Sequence, residues 1–174
     1  MTVRQRPESR GEGLYALSFL GAHLAFIPIL ALLLPRRVAA ISPASSIELL
    51  SVLLLAGGIV ASIAHIVAGR WSDHWLRRHG SRRGLILIGL GLLILSQIAL
   101  GLARSDISLL LAITVFQLSL NLMFAPLGAL LADYIPNERK GRVAGMMNAS
   151  LPLASLGTGA VAFLFPTDNV LAFL

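Results

Sequence analysis

The sequence of 174 residues contains no cysteine. Without thiols the chain can form no disulfide bond, no thiolate metal site and no cysteine nucleophile. The four histidines are scattered without metal-ligand spacing, and we find no Ser-His-Asp arrangement, H-E-x-x-H motif or phosphate-binding glycine loop. The sequence therefore predicts that the protein is not an enzyme and binds no cofactor or metal.

Charge is the second scarcity. Only 13% of the residues are charged, whereas soluble domains carry about 25%. Hydrophobic residues make up 56% of the chain, and the mean hydropathy is +0.83. A soluble core of this length could not hide that much apolar surface, so the composition predicts an integral membrane protein whose main partner is the lipid bilayer.

Acidic residues are fewer than basic ones, with 8 against 14, and the formal net charge is +6. In a soluble protein this excess would suggest binding to nucleic acid. No basic, aromatic-interleaved soluble module is present to bind it, so we expect no nucleic-acid partner. We expect loop arginines that face an anionic cytoplasmic leaflet instead.

Continuous apolar runs dominate the rest of the chain. A transmembrane helix needs about 20 mostly apolar residues. Five segments meet this length, at about 14–34, 47–69, 84–103, 107–133 and 142–165. These runs predict an all-α bundle over residues 14–174, preceded by a cytoplasmic tail over residues 1–13. A sixth run begins at about residue 170 and ends at Leu174. Because a helix cannot stop in hydrocarbon after one turn, we expect the chain to be a fragment of a longer protein.

The basic residues predict the orientation. Eleven of the fourteen lysines and arginines fall in the tail and in the loops that follow the second and fourth spans. The other three, Arg36, Arg37 and Arg104, fall on the opposite side. Since positive charge accumulates in cytoplasmic loops, we expect the N-terminus to lie in the cytoplasm.

The stretch AGRWSDHWLRRHGSRRG, residues 68–84, concentrates five arginines between two apolar spans. Gly69 and Arg77 lie four residues on either side of Asp73, so the three share a helix face. This spacing predicts a close helix contact at Gly69 and an ion pair between Asp73 and Arg77. A solvated loop that only sets the topology is the alternative.

This stretch resembles the signature of the loop between the second and third helices of the major facilitator superfamily, roughly G-x-x-x-D-R-x-G-R-R. It is most similar to the longer form found in sugar and glycoside cation symporters. His74 stands where the family usually has arginine, and Gly84 where proline is common. The matching residues are Gly69, Ser72, Asp73, Arg78, Gly80, Arg82 and Arg83.

A second block, APLGALLADYIPNERKGRVAGMMN, is similar to the junction of helices 4 and 5 in the same transporters. The pattern there is roughly P-x-x-A-L-x-A-D-x-x-P-x-x-x-R-G-x-x-x-G. The matching residues are Pro126, Ala129, Leu130, Ala132, Asp133, Pro136, Arg139, Gly141 and Gly145. The two blocks are separated by one hairpin of helices, as the family pattern requires.

The resemblance implies the N-terminal bundle of a major facilitator fold in a bacterial inner membrane. It implies secondary active transport of a small solute by alternating access, coupled to a proton or a sodium ion. In the family the loop aspartate caps a helix of the C-terminal half, which is missing here, and joins a charge relay that closes the cytoplasmic gate. By position the relay would comprise Asp73, Arg77 or Arg78, and Asp133, while Arg82 and Arg83 would mainly anchor the third helix at the headgroups.

Polar side chains inside the spans are the candidates for binding the solute. His23 is either a packing histidine or a cavity residue that binds substrate or carries a proton. Gln117 and Asn121 lie four residues apart, and their amides either suit a hydroxyl-rich substrate or join two helices. Asn148 could line the path. A membrane assembly factor or sensor on the same scaffold, without transport activity, remains the alternative function.

Overall fold

The computed structural model describes residues 9–164, and every element in that range is a helix. The long helices are α1 (Ser9–Pro28), α3 (Ser46–His79), α4 (Arg83–Leu102), α5 (Asp106–Tyr134) and α6 (Asn137–Leu164). A π-helical turn, Ile29–Leu33, joins α1 to the short α2 (Leu34–Ile41), and a 3-10 turn, Pro43–Ser45, precedes α3. The sixth span predicted from residue 170 lies outside the described residues.

Five helical segments are long and apolar enough to cross a membrane: Gly11–Ile41, Pro43–His79, Arg83–Leu102, Asp106–Tyr134 and Asn137–Leu164. The first of them comprises α1, the π-helical turn and α2. Two prolines, Pro28 and Pro35, flank the π-helical turn and remove backbone donors from the helix there. The prediction of an all-α membrane protein with five complete spans is confirmed.

Four span ends differ from those predicted by hydropathy. Helix α1 begins at Ser9 rather than at residue 14, and the first span continues to Ile41 rather than ending near residue 34. Helix α3 continues to His79 rather than ending near residue 69, and α6 begins at Asn137 rather than at residue 142. Hydropathy detects only the part of a helix that lies in hydrocarbon. Polar residues continue each helix into the headgroup region or water, and hydropathy does not detect this part of the helix.

The extra length of α3 places the charged stretch. Its 34 residues extend about 50 Å, whereas the hydrocarbon core is about 30 Å thick. The helix ends at Gly80, whose φ of 69° lies in the left-handed region and whose N–H donates to the Leu76 carbonyl over 2.8 Å. This turn brings Arg82 back towards α3 just before α4 begins.

Helix α5 is the most buried span, with α3 and α4 packed against it and α1 paired with α6. The backbones of α4 and α5 come close together at Gly89 of α4, where an added Cβ would lie 2.6 Å from the backbone nitrogen of Met123. At Gly57 of α3 an added Cβ would lie 3.4 Å from the Gln117 side chain. These two glycines allow α4 and α3 to pack closely against α5.

Side-chain hydrogen bonds to backbone oxygens fix α1 against the other helices. The Tyr15 hydroxyl donates to the Leu127 carbonyl of α5 over 2.9 Å. The Gln97 amide of α4 donates to the Ala25 carbonyl over 2.7 Å. Since water is scarce at these depths, each such bond satisfies a group that would otherwise be costly to bury.

Candidate functional site

A buried arginine lies at the end of the bundle where α3 and α5 terminate and α4 begins. Arg82 is the residue just before α4, and its side chain is only 5% exposed. Asp73 and Ser72 come from the last turns of α3, and Asp133 is the penultimate residue of α5. We call these four residues the Arg82 cluster.

Every nitrogen of the Arg82 guanidinium has a partner. Nε donates to Asp133 Oδ2 over 2.7 Å, and Nη2 donates to Asp73 Oδ1 over 2.8 Å and to Asp133 Oδ1 over 3.5 Å. Nη1 donates to the hydroxyl of the fully buried Ser72 over 2.5 Å. One planar group thus joins two carboxylates from different helices, an arrangement that suits the fork geometry of arginine and not the point charge of lysine.

Helix dipoles disfavour both charges of the Arg82–Asp133 ion pair, so each charge gains from the other. A carboxylate at the C-terminal end of a helix, as at Asp133, lies where negative charge is disfavoured. A cation beside the N-terminus of α4, as at Arg82, is also disfavoured. The hydrogen bonds to Asp133 raise the pKa of Arg82 above its already high ordinary value, and a bond to Asp73 adds to this effect. The guanidinium therefore stays charged at every pH in which the protein can be studied.

Three predictions about this stretch are wrong. The carboxylate of Asp73 pairs with Arg82, nine residues further on, rather than with Arg77, because the turn at Gly80 folds the chain back. Arg82 is consequently buried in an ion cluster and is not an exposed anchor at the start of α4. Within residues 9–164 Gly69 makes no close contact, since an added Cβ there would meet nothing within 4 Å.

The remaining arginines of the stretch are exposed: Arg70, Arg77, Arg78 and Arg83. Arg83 follows the buried Arg82 directly, yet the two differ in exposure because successive residues at the start of a helix point about 100° apart. The structure thus separates the arginines of one motif into a single buried residue and an exposed set.

A second ion cluster joins α1 to α6, and we call it the Glu12 cluster. Glu12 is 2% exposed and its carboxylate pairs with Arg139, over 3.3 Å, and with Arg142. The prediction placed both arginines in a loop, but they belong to the first turns of α6. Glu12 was not predicted as a site residue; an acidic residue beside an apolar span was the signal that could have identified it.

A cavity of about 700 Å³ lies between the two ion clusters. Its walls come from the start of α1, the turn between α3 and α4, and the end of α5. Glu12, Tyr15, Arg82, Arg83 and Tyr134 line it. The start of α1, the turn between α3 and α4 and the end of α5 therefore meet around an open, charged region rather than around a closed apolar core.

His23 lies where α1, α5 and α6 meet. Its Nδ1 is 2.8 Å from the Phe19 carbonyl oxygen and 2.8 Å from Ser150 Oγ. Because a carbonyl oxygen can only accept, Nδ1 is the nitrogen that donates. The rings of Phe26 and Phe124 have centroids 5.5 and 5.4 Å from the imidazole. The imidazole is therefore packed between aromatic rings of α1 and α5 at this helix interface.

The two amides of α5 face α3. Asn121 Oδ1 is 3.0 Å from His65 Nδ1, and the Asn121 amide nitrogen donates to the Gln117 carbonyl over 2.9 Å. Gln117 packs against Gly57. Asn148 is exposed on α6. The four predicted substrate residues thus occupy three separate places in the bundle: His23 at one interface, the two amides at another, and Asn148 on the surface.

Together these features define the class of the protein: a polytopic helical membrane protein with buried ion clusters at one end of its bundle. The family model of the Major Facilitator Superfamily matches residues 13–167, and the chain belongs to this superfamily. Members of this superfamily are transporters rather than enzymes. No curated protein and no solved structure matches the chain.

Proposed function

We propose that the chain is the N-terminal bundle of a secondary transporter that moves a small solute by alternating access, and that the Arg82 cluster is one side of its cytoplasmic gate. The observation that carries this proposal is the Arg82 side chain, which is only 5% exposed and bridges aspartates from two helices at the charged end of the bundle. Such a cluster is costly to desolvate, and breaking it by removing one partner is strongly destabilising. These properties suit a contact that forms in one state of a transport cycle and changes in the other.

The charges of the cluster favour a helix N-terminus as its partner. One guanidinium and two carboxylates leave a net charge of −1, and the Asp73 side chain is 57% exposed. A helix N-terminus carries about half a positive charge and favours a nearby carboxylate. In our proposal a second half, with about six further spans, supplies that helix, and rocking of the halves breaks and remakes the contact.

For substrate and coupling we propose a sugar or glycoside moved with a proton or a sodium ion. Within residues 9–164 the acidic side chains lie at or near helix ends, so no carboxylate is available at the middle of a span. His23, or a residue of the second half, would then bind a coupling proton. Asn121, Gln117 and Asn148 are candidates for hydrogen bonds to substrate hydroxyls. The N-terminus would face the cytoplasm of a bacterial inner membrane.

Uptake by the full-length protein in proteoliposomes tests this function. We expect a proton or sodium gradient to drive the accumulation of at least one compound from a panel of labelled sugars and glycosides. In Arg82→Gln, uptake should fall at least about tenfold at equal insertion, since the loss of a charged hydrogen bond corresponds to about 1.5–3 kcal/mol. Arg83→Gln is the matched control, because Arg83 is exposed and adjacent. It should retain most of the wild-type rate.

The possible failures are distinguishable. If no gradient drives uptake of any solute by the wild-type protein, transport is refuted and a sensor or assembly factor on the same scaffold is favoured. If the wild type transports and Arg82→Gln transports equally well, the gate assignment is refuted while transport stands.

A further inference from the structure

An apolar groove of about 500 Å³ runs along the bundle between α3 and α5 and reaches α4. We call it the α3–α5 groove. Its walls include Val60, Val67 and Trp71 of α3, Leu92 of α4, and Val115 and Leu118 of α5. From Val60 to Trp71 the groove extends about 16 Å along α3, since each helical residue rises 1.5 Å. It is therefore long and narrow.

Apart from the Trp71 indole N–H at one end, the described walls of the groove offer no free hydrogen-bond donor to a ligand. Its two hydroxyl residues use their protons within their own helix: Thr114 donates to the Leu110 carbonyl over 2.8 Å, and Ser119 donates to the Val115 carbonyl over 2.7 Å. The groove lies within membrane-spanning helices. A long, apolar occupant that the bilayer itself supplies, the acyl chain of a lipid, fits these walls.

A positive charge continues the groove beyond the apolar region. Val60, Val67, Trp71 and Arg78 are spaced by seven, four and seven residues, so they share one face of α3. Arg78 lies about 10 Å beyond Trp71 along the helix axis. Trp71 is 48% exposed, as expected of an indole at the membrane interface, and Arg78 is exposed about two helical turns further along α3. Within residues 9–164 Arg78 forms no ion pair, and the nearest aspartate along α3, Asp73, pairs with Arg82.

We propose that the α3–α5 groove binds an anionic phospholipid, with an acyl chain along the apolar walls and the lipid phosphate on Arg78. The guanidinium can donate two hydrogen bonds to phosphate oxygens. The proposal rests on the proposed orientation, which places the end of α3 at the cytoplasmic leaflet. It assigns a role to an arginine of the loop motif that the gate does not use.

Quenching of Trp71 fluorescence tests the site. The full-length protein is reconstituted in phosphatidylcholine vesicles with Trp71 as its only tryptophan, which requires Trp75→Phe and the replacement of any tryptophan outside these 174 residues by phenylalanine. These vesicles carry equal small amounts of brominated phosphatidylglycerol or brominated phosphatidylcholine in both leaflets. We expect the anionic lipid to quench with about fivefold higher apparent affinity, the factor expected for one arginine near an anionic headgroup.

Two matched pairs of variants locate the effect. Arg78→Gln should abolish the anionic preference, whereas Arg77→Gln, one residue away on another helix face, should keep it. Val60→Phe fills the groove and should reduce quenching by both lipids. Ile59→Phe adds the same bulk to an exposed position outside the groove and should leave quenching unchanged.

Three results would overturn the proposal. Equal quenching by both lipids would show an acyl groove without headgroup recognition. Absence of quenching by either lipid would show that protein, such as a second copy of the chain, covers the groove. If Arg77→Gln and Arg78→Gln reduced the preference for the anionic lipid equally, the preference would come from a general attraction of anionic lipids to the positive surface and not from a site at Arg78. Because quenching needs no solute gradient, its outcome is independent of the uptake assay.

Discussion

Removing the charge of Arg82 is the most informative perturbation of the cytoplasmic end of the bundle. In Arg82→Gln the amide can still donate to one carboxylate, but the bridge between Asp73 and Asp133 is lost. Breaking a buried ion pair by removing one partner costs about 3–5 kcal/mol. Asp133 is 27% exposed and Asp73 57%, so water offsets part of that cost. We expect a loss of about 2–3 kcal/mol in the free energy of unfolding.

The structure also predicts which second substitution restores stability. Asp133 is the less exposed carboxylate, and it lies at the C-terminal end of α5, where the helix dipole disfavours it. Asp133→Asn in the Arg82→Gln background should therefore recover about 1–2 kcal/mol. Asp73→Asn in the same background should recover less than about 1 kcal/mol, because exposed charges interact weakly.

Unfolding by SDS in mixed micelles, followed by circular dichroism, measures these free energies. Arg83→Gln serves as the control, and we expect it to lie within about 0.5 kcal/mol of the wild type. The reasoning is refuted if Arg82→Gln is equally close to the wild type, or if Asp73→Asn restores as much stability as Asp133→Asn. The second result would mean that exposure and helix position do not set the energies of this cluster.

Two further predictions concern packing and the second ion cluster. Gly89→Ala should destabilise the bundle by about 1–3 kcal/mol, because its Cβ would meet the α5 backbone at 2.6 Å. Gly91→Ala, where a Cβ meets nothing within 4 Å, should be neutral or slightly stabilising in the same unfolding assay, and equal effects would contradict the close contact. Glu12→Gln should cost about 1–3 kcal/mol, since it removes the buried carboxylate that pairs with Arg139 and Arg142 of α6. The exposed Glu138→Gln should cost little, and a comparable loss there would refute a specific role for the Glu12 cluster.

The two ion clusters connect different helices. The Arg82 cluster joins α3, α5 and the start of α4, whereas the Glu12 cluster joins α1 and α6. These groups coincide with the packing of the bundle, in which α3 and α4 flank α5 while α1 pairs with α6. Each cluster therefore holds one packed group of helices at its charged end, and the 700 Å³ cavity lies between them.

Hydropathy and charge by themselves determined that the chain is a helical membrane protein with five spans. The reason is physical: a span must be apolar over about 20 consecutive residues, so it can be recognised from the local sequence alone. The same pattern could not locate the C-terminal end of α3 or the start of α6, because polar residues continue a helix in water without an apolar signal.

The partners of the charges were decided by the tertiary structure. Spacing along α3 favoured Arg77 for Asp73, since residues four apart share a helix face. The left-handed turn at Gly80 brings Arg82 to that carboxylate instead, and the packing of α5 adds Asp133 at 2.7 Å. Glu12 pairs with arginines more than 120 residues away, which no local pattern can indicate. Sequence alone thus determined which segments enter the membrane, because that depends on local composition, and the folded bundle decided which charges meet, because that depends on how distant helices pack.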